Sequence, residues 1–397
     1  MEGAPPTHAA IFARFLRFGL LAWGGPVAQI AMIKRELVEE EQWISPERFN
    51  RLLAVYQVLP GPEAHELCVH LGMMKRGRLG GIFAGLGFML PGFLLILAIA
   101  WVYQRLDLDQ PAIAAVFLGV QIGVIALIVR AVHRIGEHVL VDKWLWAVAA
   151  VSTLGSWLGV SFWIILPAAG LIYAFAAGRR YALAMAIALL CAALALWMTG
   201  PSGMAAEAYT GAVQPASVGM AALFLSGLKA GLLTFGGAYT AIPFVRHDAV
   251  GRGWLSEGQF LDSLALAGII PAPLIIFATF VGFLAGGLGG ALVITAGIFL
   301  PAFSFALLFY DRLEQVIEDQ RLHHLLEGVA AGVVGLIAVT AIQLGWNVAR
   351  ALPSLGLGVT IFALSLAVLY VWKSKLNVLA VVVGAALLGS LFGASAP

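Results

Sequence analysis

The sequence predicts an all-α polytopic membrane protein with two inverted-topology repeats, broken helices and about 13 membrane segments in the order 6+1+6. Three observations predict this fold: the composition, a long internal repeat and the charges of the turns. Of the 397 residues, 61% are hydrophobic and 11% are charged, whereas about a quarter of the residues in a soluble domain are charged. This composition excludes a water-soluble fold, and a net charge of +2 is too small to indicate a nucleic-acid-binding surface.

Long apolar stretches supply the predicted membrane segments. Residues 82–102, 182–198 and 376–392 carry no charge and have about the length that crosses the roughly 30 Å hydrocarbon layer. The first apolar run reaches about residue 33 without a cleavage site of the Ala-x-Ala type, so we expect it to be retained as the first segment. The lipid bilayer is therefore an expected partner.

Cysteine and histidine spacing argues against metal or redox chemistry. Cys68 and Cys191 lie in separate apolar segments, which supports neither a disulfide nor a metal cluster. His65 and His70 approach the His-Glu-x-x-His pattern of zinc proteases, but they are five residues apart. That spacing is about 140° around a helix, so the two rings cannot share the face that a four-residue spacing provides. We expect no metal, no cofactor and no enzymatic activity.

The chain repeats itself at a shift of about 210 residues. Residues 16–25 match residues 228–237 at six of ten positions, with a basic residue at the same place in each. Further matches join the tryptophan, serine, proline and glycine positions of the two halves: Trp43 with Trp254, Ser45 with Ser256, Pro91 with Pro301, Gly119 with Gly328, and Gly123 with Gly332. This repeat predicts three parts: residues 1–180, a connecting span and linker over 181–216, and residues 217–397.

The turn charges predict that the halves have opposite orientations. Six apolar spans in each half and one between them force the second half to enter from the other side. The basic turn at residues 75–78 corresponds to an uncharged turn near Gly286 and Gly287, and residues 373–375 correspond to an uncharged turn near Gly159. Because basic residues favour the cytoplasmic side, we expect the N-terminus inside and the C-terminus outside. Re-entrant segments would change the count of spans.

Three other segments have distinct expected roles. Residues 36–51 and 248–260 carry too many charges to span the bilayer and predict amphipathic helices at its interface. Residues 200–214 are rich in Gly, Ser, Ala and Pro, which predicts a flexible linker between the halves.

Proline and glycine interrupt the spans at equivalent places in both halves. Residues 24–26 correspond to 236–237, and residues 60–62 correspond to 271–273. Such breaks are tolerated at membrane depth where the backbone is buried in protein or lines a wet cavity. The sequence therefore predicts one central cavity, although these prolines would also serve simply to kink packed helices. The candidate substrate-binding residues at the breaks are Gly24, Gly25, Pro26, Pro60, Gly61, Pro62, Glu63, Gly236, Gly237, Pro271 and Pro273.

The breaks favour an anion as the ligand. Pro62 and Pro273 suit the first position of a half-helix, which would leave the next two backbone amides of each unpaired. Each helix start carries roughly half a positive charge. Arg17 and Lys229, at equivalent positions two turns before the Gly-Gly breaks, are further candidates because cations inside membranes often mark a substrate route. The alternative is that both side chains extend to the headgroup region.

Glu63 and Glu66 are candidate proton-coupling residues. They lie in the densest polar run inside a span, and the second half has Leu274 and Phe277 in their places. A desolvated carboxylate that titrates near neutral pH can carry a coupling proton. The alternative is that both acids bond neighbouring amides or face water at a helix end.

Several of these motifs together resemble the chromate transporter family in its long-chain, two-domain form. The resemblance rests on the Gly-Gly-Pro-Val-Ala-Gln-Ile-Ala run at residues 24–31, on Leu-Pro-Gly-Pro-Glu-Ala at 59–64, and on Phe-Gly-Gly-Ala-Tyr at 235–239. It adds Gln29 to the candidate substrate-binding residues. Ala272 departs from the usual Pro-Gly-Pro, which puts equal contact of both halves with substrate in question.

The resemblance implies export of chromate, a tetrahedral oxyanion, across the bacterial inner membrane by a multi-pass protein that confers chromate resistance. Sulfate is a further candidate substrate and the proton a candidate coupling ion. Uptake of sulfate or another anion and a passive anion channel stay open as alternatives. A homodimer also stays open as an assembly.

Overall fold

The computed structural model describes residues 6–108, 110–199, 218–309 and 319–394. Within these ranges the chain forms helices and turns and no β-strand, which confirms the all-α prediction. The linker predicted at residues 200–214 lies outside the described residues.

The two halves have the same order of helices. In the first half the helices are α1 His8–Leu20, α2 Gly25–Ile33, α3 Pro46–Val58, α4 Glu63–Tyr103, α5 Pro111–Val139, α6 Lys143–Trp157 and α7 Phe162–Ala177, and α8 Tyr181–Thr199 follows them. In the second half they are α9 Met220–Leu232, α10 Ile242–Ala249, α11 Glu257–Gly268, α12 Phe277–Ser304, α13 Gln320–Ala351, α14 Leu355–Val371 and α15 Asn377–Ala394. The π-helical turns Lys34–Glu40 and Phe305–Phe309 continue α2 and α12, and the 3₁₀ turns Ala238–Ala241 and Leu274–Ile276 precede α10 and α12.

Helix α4 is a hairpin of two antiparallel arms. Its backbone leaves helical geometry at Arg76 (φ −149°, ψ 36°) and Gly77 (φ 64°, ψ −168°). The ring centroids of His65 and Phe88 are 6.4 Å apart, whereas a straight helix would separate these residues by about 35 Å. We call residues 63–75 and 78–103 arms α4a and α4b.

Helix α12 doubles back at the equivalent place. Gly286 (φ −147°, ψ 23°) and Gly287 (φ 61°, ψ −154°) form its turn. The hydroxyl oxygens of Thr279 and Thr295 are 2.6 Å apart, instead of the roughly 24 Å of a straight helix. We call residues 277–285 and 288–304 arms α12a and α12b. Both turns need a residue with positive φ, which glycine adopts without steric strain.

The arms α4b and α12b run in opposite directions where they pack. A Cβ added at Gly81 would lie 2.6 Å from Leu307 Cδ2, and one at Gly85 would lie 2.7 Å from Phe303 Cζ. The earlier residue of α4b, Gly81, therefore contacts the later Leu307, and the later residue, Gly85, contacts the earlier Phe303. The two hairpins are equivalent in the repeat, so equivalent arms are antiparallel.

The chain divides into two compact units, of which the first comprises residues 1–127, 211–310 and 345–397 and the second residues 128–210 and 311–344. In the first, Gly119 of α5 packs against the backbone of Gly389 in α15, and in the second Gly328 of α13 packs against Gly170 in α7. Gly119 and Gly328 are equivalent in the repeat. Both allow the close helix contact that small residues permit in membrane proteins.

In the second unit, Asp142 caps the start of α6. Its carboxylate accepts hydrogen bonds from the amides of Trp144 and Leu145 and from the Tyr173 hydroxyl, the last at 2.6 Å. Burial raises the pKa of Asp142, but these donated hydrogen bonds outweigh burial and hold it below its ordinary value.

Helix lengths and exposed apolar side chains fit a membrane protein. Among the described residues, four helical segments are long and apolar enough to cross a bilayer: Glu63–Tyr103, Pro111–Val139, Leu274–Leu308 and Leu322–Ala351. Large apolar side chains such as Leu189 (63%) and Leu387 (69%) are exposed, as expected of surfaces that face lipid. Helix α1, with 13 residues, measures about 20 Å and is too short to cross the layer alone.

Candidate anion-binding site

The break at residues 24–26 is the tip of a helical hairpin. Helix α1 ends at Leu20 and α2 begins at Gly25. The Phe15 and Trp43 rings are 6.2 Å apart, so the chain returns along α1 after the break. Gly24 (φ 91°) and Gly25 (φ 76°) have left-handed backbones that other residues adopt only with strain.

Gln29 stabilises this first tip. Its Nε2 donates a hydrogen bond of 3.0 Å to the carbonyl of Ala22, which lies in the break two residues after the end of α1. Its Oε1 is buried and has no partner within the described chain. The side chain therefore holds the break together and leaves one acceptor inside it.

The break at residues 60–62 is the tip of the second hairpin, formed by α3 and α4a. The Tyr56 hydroxyl lies 3.0 Å from His70 Nδ1, which joins the two helices. Ser45 caps the start of α3 through the amide of Arg48, and Pro62 ends the break as the residue before α4.

The sequence prediction that Pro62 and Pro273 occupy the first position of a helix is wrong. Pro62 (ψ 92°) and Pro273 (ψ 129°) have extended backbones and precede the helical turns, instead of occupying the first helical position. The amides of His65 and Glu66 donate to the Pro62 carbonyl, and that of Ile276 donates to the Pro273 carbonyl. The amides of the residues directly after each proline precede these first helical hydrogen bonds.

The breaks in the second half are also tips of hairpins. Lys229 of α9 and Asp248 of α10 are joined by an ion pair of 2.5 Å, so α10 returns alongside α9 after the break at Gly236 (φ 72°) and Gly237 (φ 119°). The Phe260 ring of α11 packs 5.9 Å from that of Phe277, at the start of α12.

Three of the four tips meet. The amide of Gly61 donates a hydrogen bond of 2.8 Å to the carbonyl of Thr234, two residues before Gly236. The 3₁₀ turns 238–241 and 274–276 pack against each other, which joins the two tips of the second half. Ala272 lies against Gly92 of α4b. At the fourth tip, a Cβ on Gly24 would lie 3.4 Å from the Cα of Lys375.

A buried carboxylate lies directly beneath the Pro-Gly-Pro tip. Glu66 is fully buried, and neither of its oxygens has a hydrogen-bond partner in the part of the chain that the structure describes. A Cβ on Gly61 would lie 2.5 Å from Glu66 Oε1. Glu63 begins α4 and is partly exposed. The structure thus places both predicted acids beside the tip, with Glu66 as the desolvated one.

Arg17 and Lys229 form equivalent ion pairs. Arg17 Nη1 lies 2.8 Å from Glu36 Oε2, and Lys229 Nζ lies 2.5 Å from Asp248 Oδ2. The side chains of Glu36 and Asp248 are only 5% and 2% exposed, so each cation compensates a buried charge. Neither sequence hypothesis included these partners, although Glu36 and Asp248 are themselves equivalent in the repeat.

These features define a class: a membrane protein that is helical throughout its described residues and whose hairpin tips contain glycine and proline. The chain belongs to the chromate transporter family, and the family model matches residues 9–201 and 221–390.

Similar proteins carry related descriptions. A chromate transport protein of Pseudomonas aeruginosa is 60% identical over 98% of this chain and 94% of that protein. A chromate transport protein of Cupriavidus metallidurans is 31% identical over 94% of this chain and 90% of that protein. A probable chromate transport protein of Synechococcus elongatus is 30% identical over 95% of this chain and 94% of that protein. No solved structure matches the chain.

Proposed function

We propose that this protein exports chromate from the cytoplasm across the bacterial inner membrane and thereby confers chromate resistance. Family membership and the descriptions of three long relatives support chromate as the substrate. The observation that carries the proposal is the hydrogen bond between the Gly61 amide and the Thr234 carbonyl, because it joins breaks from the two halves into one candidate site.

Backbone chemistry explains how such a site recognises a tetrahedral dianion. Helix starts and glycine-rich turns offer amides that point at an anion, and the helix dipole adds positive potential. Glycine at positions 236 and 237 lets the backbone approach the oxyanion closely, while Gly61 makes room for the Glu66 carboxylate and joins its tip to Thr234. Sulfate has the same charge and shape, so it is expected to compete. Ala272 is small enough to keep the second half in contact.

The hairpins support an inverted arrangement with fewer full crossings than thirteen. Helices α1, α3, α9 and α11 have 12 or 13 residues, about 20 Å each, which suits helices that reach the middle of the bilayer and return. The described residues would then cross the bilayer about nine times. The crossings are arms α4b and α12b and the seven helices α5 to α8 and α13 to α15. The antiparallel packing of α4b and α12b supports opposite orientation of the halves.

Turn charges set the proposed orientation. The basic turn at residues 75–78 lies between α4a and α4b, while the equivalent turn at Gly286 and Gly287 is uncharged. The positive-inside tendency puts the first turn in the cytoplasm and the second outside. An odd number of crossings keeps the N-terminus inside and the C-terminus outside.

The paired charges favour alternating access over an open channel. The Arg17–Glu36 pair lies in the hairpin on the proposed cytoplasmic side, and the Lys229–Asp248 pair lies in its equivalent on the other. Opening either side would separate the ion pair on that side. The cation, Arg17 or Lys229, would then be free to attract the dianion. Glu63 and Glu66, the candidates for proton coupling from the sequence, lie beside the tip, and Glu66 is the buried one of the two.

Chromate flux into proteoliposomes of the purified protein tests the proposal. Saturable uptake that a proton gradient accelerates is expected, and cells that express the protein should accumulate less chromate. Higher cellular chromate would indicate uptake instead. A flux without saturation or response to the gradient would indicate a passive channel.

A further inference from the structure

A second polar cluster lies apart from the hairpin tips. Asp262 of α11 is 3% exposed. Its Oδ2 accepts a hydrogen bond of 2.7 Å from the Tyr103 hydroxyl at the end of α4b, and its Oδ1 accepts one of 3.0 Å from Gln121 Nε2 of α5. Arg51 occupies the equivalent position in the first half, so this carboxylate belongs to one half alone.

The cluster faces a cavity of about 450 Å³ within the first compact unit. Besides Tyr103, Gln121 and Asp262, the lining includes Pro111, Phe117 and Gln259. Asp262 is the single charged residue among the residues that line the cavity. Tyr103 is the last residue of α4b, about 39 Å along the arm from the turn at Gly77. The cavity therefore lies towards the side of the membrane opposite the basic turn at residues 75–78.

No cation neutralises Asp262 among the described residues. From α4 and α5, the groups that face it are the neutral Tyr103 and Gln121. From α12, Phe280 packs on the Tyr103 ring at 5.0 Å. The neighbouring Glu257 on α11 is already held by Arg246 of α10 and Asn347 of α13.

Two further elements border the cavity. From α15, Phe392 and Gly393 line it, and neither side chain titrates. Between α4 and α5, Arg105 and Asp107 are exposed, and Arg105 lies over the Trp101 ring. An ionised carboxylate that is buried without a cation is costly, so Asp262 needs either a proton or a cation from the cavity.

The partners of Asp262 suit a group that gains and loses a proton. Both donate to the ionised carboxylate. When Oδ2 carries a proton, it can donate to the Tyr103 hydroxyl oxygen while Gln121 Nε2 still donates to Oδ1. Both oxygens of the carboxyl are therefore hydrogen-bonded in either state.

We propose that Asp262 is the residue that takes up and releases the coupling proton, through the cavity that it lines on the side opposite the basic turn at residues 75–78. One proton binds one carboxylate oxygen and neutralises the site, and its release restores the charge. The inference rests on proton-coupled transport as the proposed function and assigns the coupling role to Asp262 instead of Glu63 and Glu66. Tyr103 and Gln121 are positioning residues.

Transport measured with and without a gradient tests this assignment. Proteoliposomes loaded with chromate are assayed for exchange at equal pH and for uptake driven by an imposed pH gradient. In Asp262→Asn the gradient should no longer accelerate uptake, whereas exchange at equal pH is still measurable. In Glu66→Gln the ratio of gradient-driven uptake to exchange at equal pH should match that of the wild type, whatever the absolute rate of transport. A gradient response in Asp262→Asn equal to that of the wild type would overturn the inference, as would loss of the response in Glu66→Gln alone.

Asp142→Asn is the matched control. Asp142 also accepts a hydrogen bond from a tyrosine, and asparagine is a good helix cap, so this variant should respond to the gradient as the wild type does. Tyr103→Phe keeps the carboxyl but removes one donor, and it should shift the pH at which gradient-driven uptake is half-maximal. An unchanged pH profile in Tyr103→Phe would contradict the proposed positioning.

Infrared titration of the purified protein separates failure of this inference from failure of the transport proposal. One of the protonated-carboxyl bands that titrate in the wild type should be missing in Asp262→Asn and present in Asp142→Asn, whether or not chromate is the substrate. If a sodium gradient drives wild-type uptake and no carboxyl band titrates, the cavity takes a metal cation and the proton assignment is wrong.

Discussion

Lys229 Nζ lies 2.5 Å from Asp248 Oδ2, and this ion pair has its counterpart in the other half, where Arg17 Nη1 lies 2.8 Å from Glu36 Oε2. The two pairs differ in exposure. The Lys229 side chain is 12% exposed, whereas that of Arg17 is 53% exposed. Breaking the ion pair is therefore expected to lower the stability of the protein more in the second half than in the first.

Lys229→Gln should destabilise the protein more than Arg17→Gln. Loss of Lys229 leaves Asp248 buried with only the more distant and exposed Arg252, at 3.4 Å, which costs about 3 kcal/mol. Loss of Arg17 should cost about 1 kcal/mol, because Arg14 also lies 3.2 Å from Glu36. Thermal unfolding in detergent measures both effects. A larger loss in Arg17→Gln would contradict the assigned difference in burial.

Gly61→Ala should abolish chromate transport. An alanine Cβ would lie 2.5 Å from Glu66 Oε1 and 2.8 Å from its Cδ, which forces either the tip or the carboxylate to move. Gly159→Ala is the matched control for backbone strain, because Gly159 also has positive φ (82°), lies outside the hairpin tips and has nothing within 4 Å of an added Cβ. Equal transport by the two alanine variants would show that the proposed collision has no effect.

The double substitution Thr279→Cys and Thr295→Cys should form a disulfide under mild oxidation. The two hydroxyl oxygens are 2.6 Å apart, so the side chains are neighbours across the α12 hairpin. Cys68 and Cys191 are first replaced by alanine to remove the natural thiols. Free thiols after oxidation would contradict the hairpin, since a straight helix holds these residues about 24 Å apart.

The sequence predicted the four breaks because proline and glycine repeat at equivalent positions, and each break is a place where helices end, but it left open whether the chain turns back there. It also predicted the turns at residues 75–78 and near Gly286, and the chain reverses direction there at Gly77 and Gly287. The structure adds the positive φ of both glycines.

The candidate site was only partly predictable for a related reason. Glu63 and Glu66 lie within one short run, and their position beside Pro62 follows from the sequence alone. The Arg17–Glu36 and Lys229–Asp248 pairs depend on chains folding back across about 20 residues. Tyr103, Gln121 and Asp262 come together from three helices, and single-residue patterns do not reveal such long-range contacts.

Sided labelling of single cysteines tests the inverted arrangement most directly. Arg78→Cys and Leu288→Cys, placed singly in a chain without natural cysteines, occupy equivalent exposed positions after the two hairpin turns. An impermeant thiol reagent added outside intact cells should modify Leu288→Cys and leave Arg78→Cys unmodified until the membrane is opened. Modification of both positions from the same side would contradict the opposite orientation of the two halves.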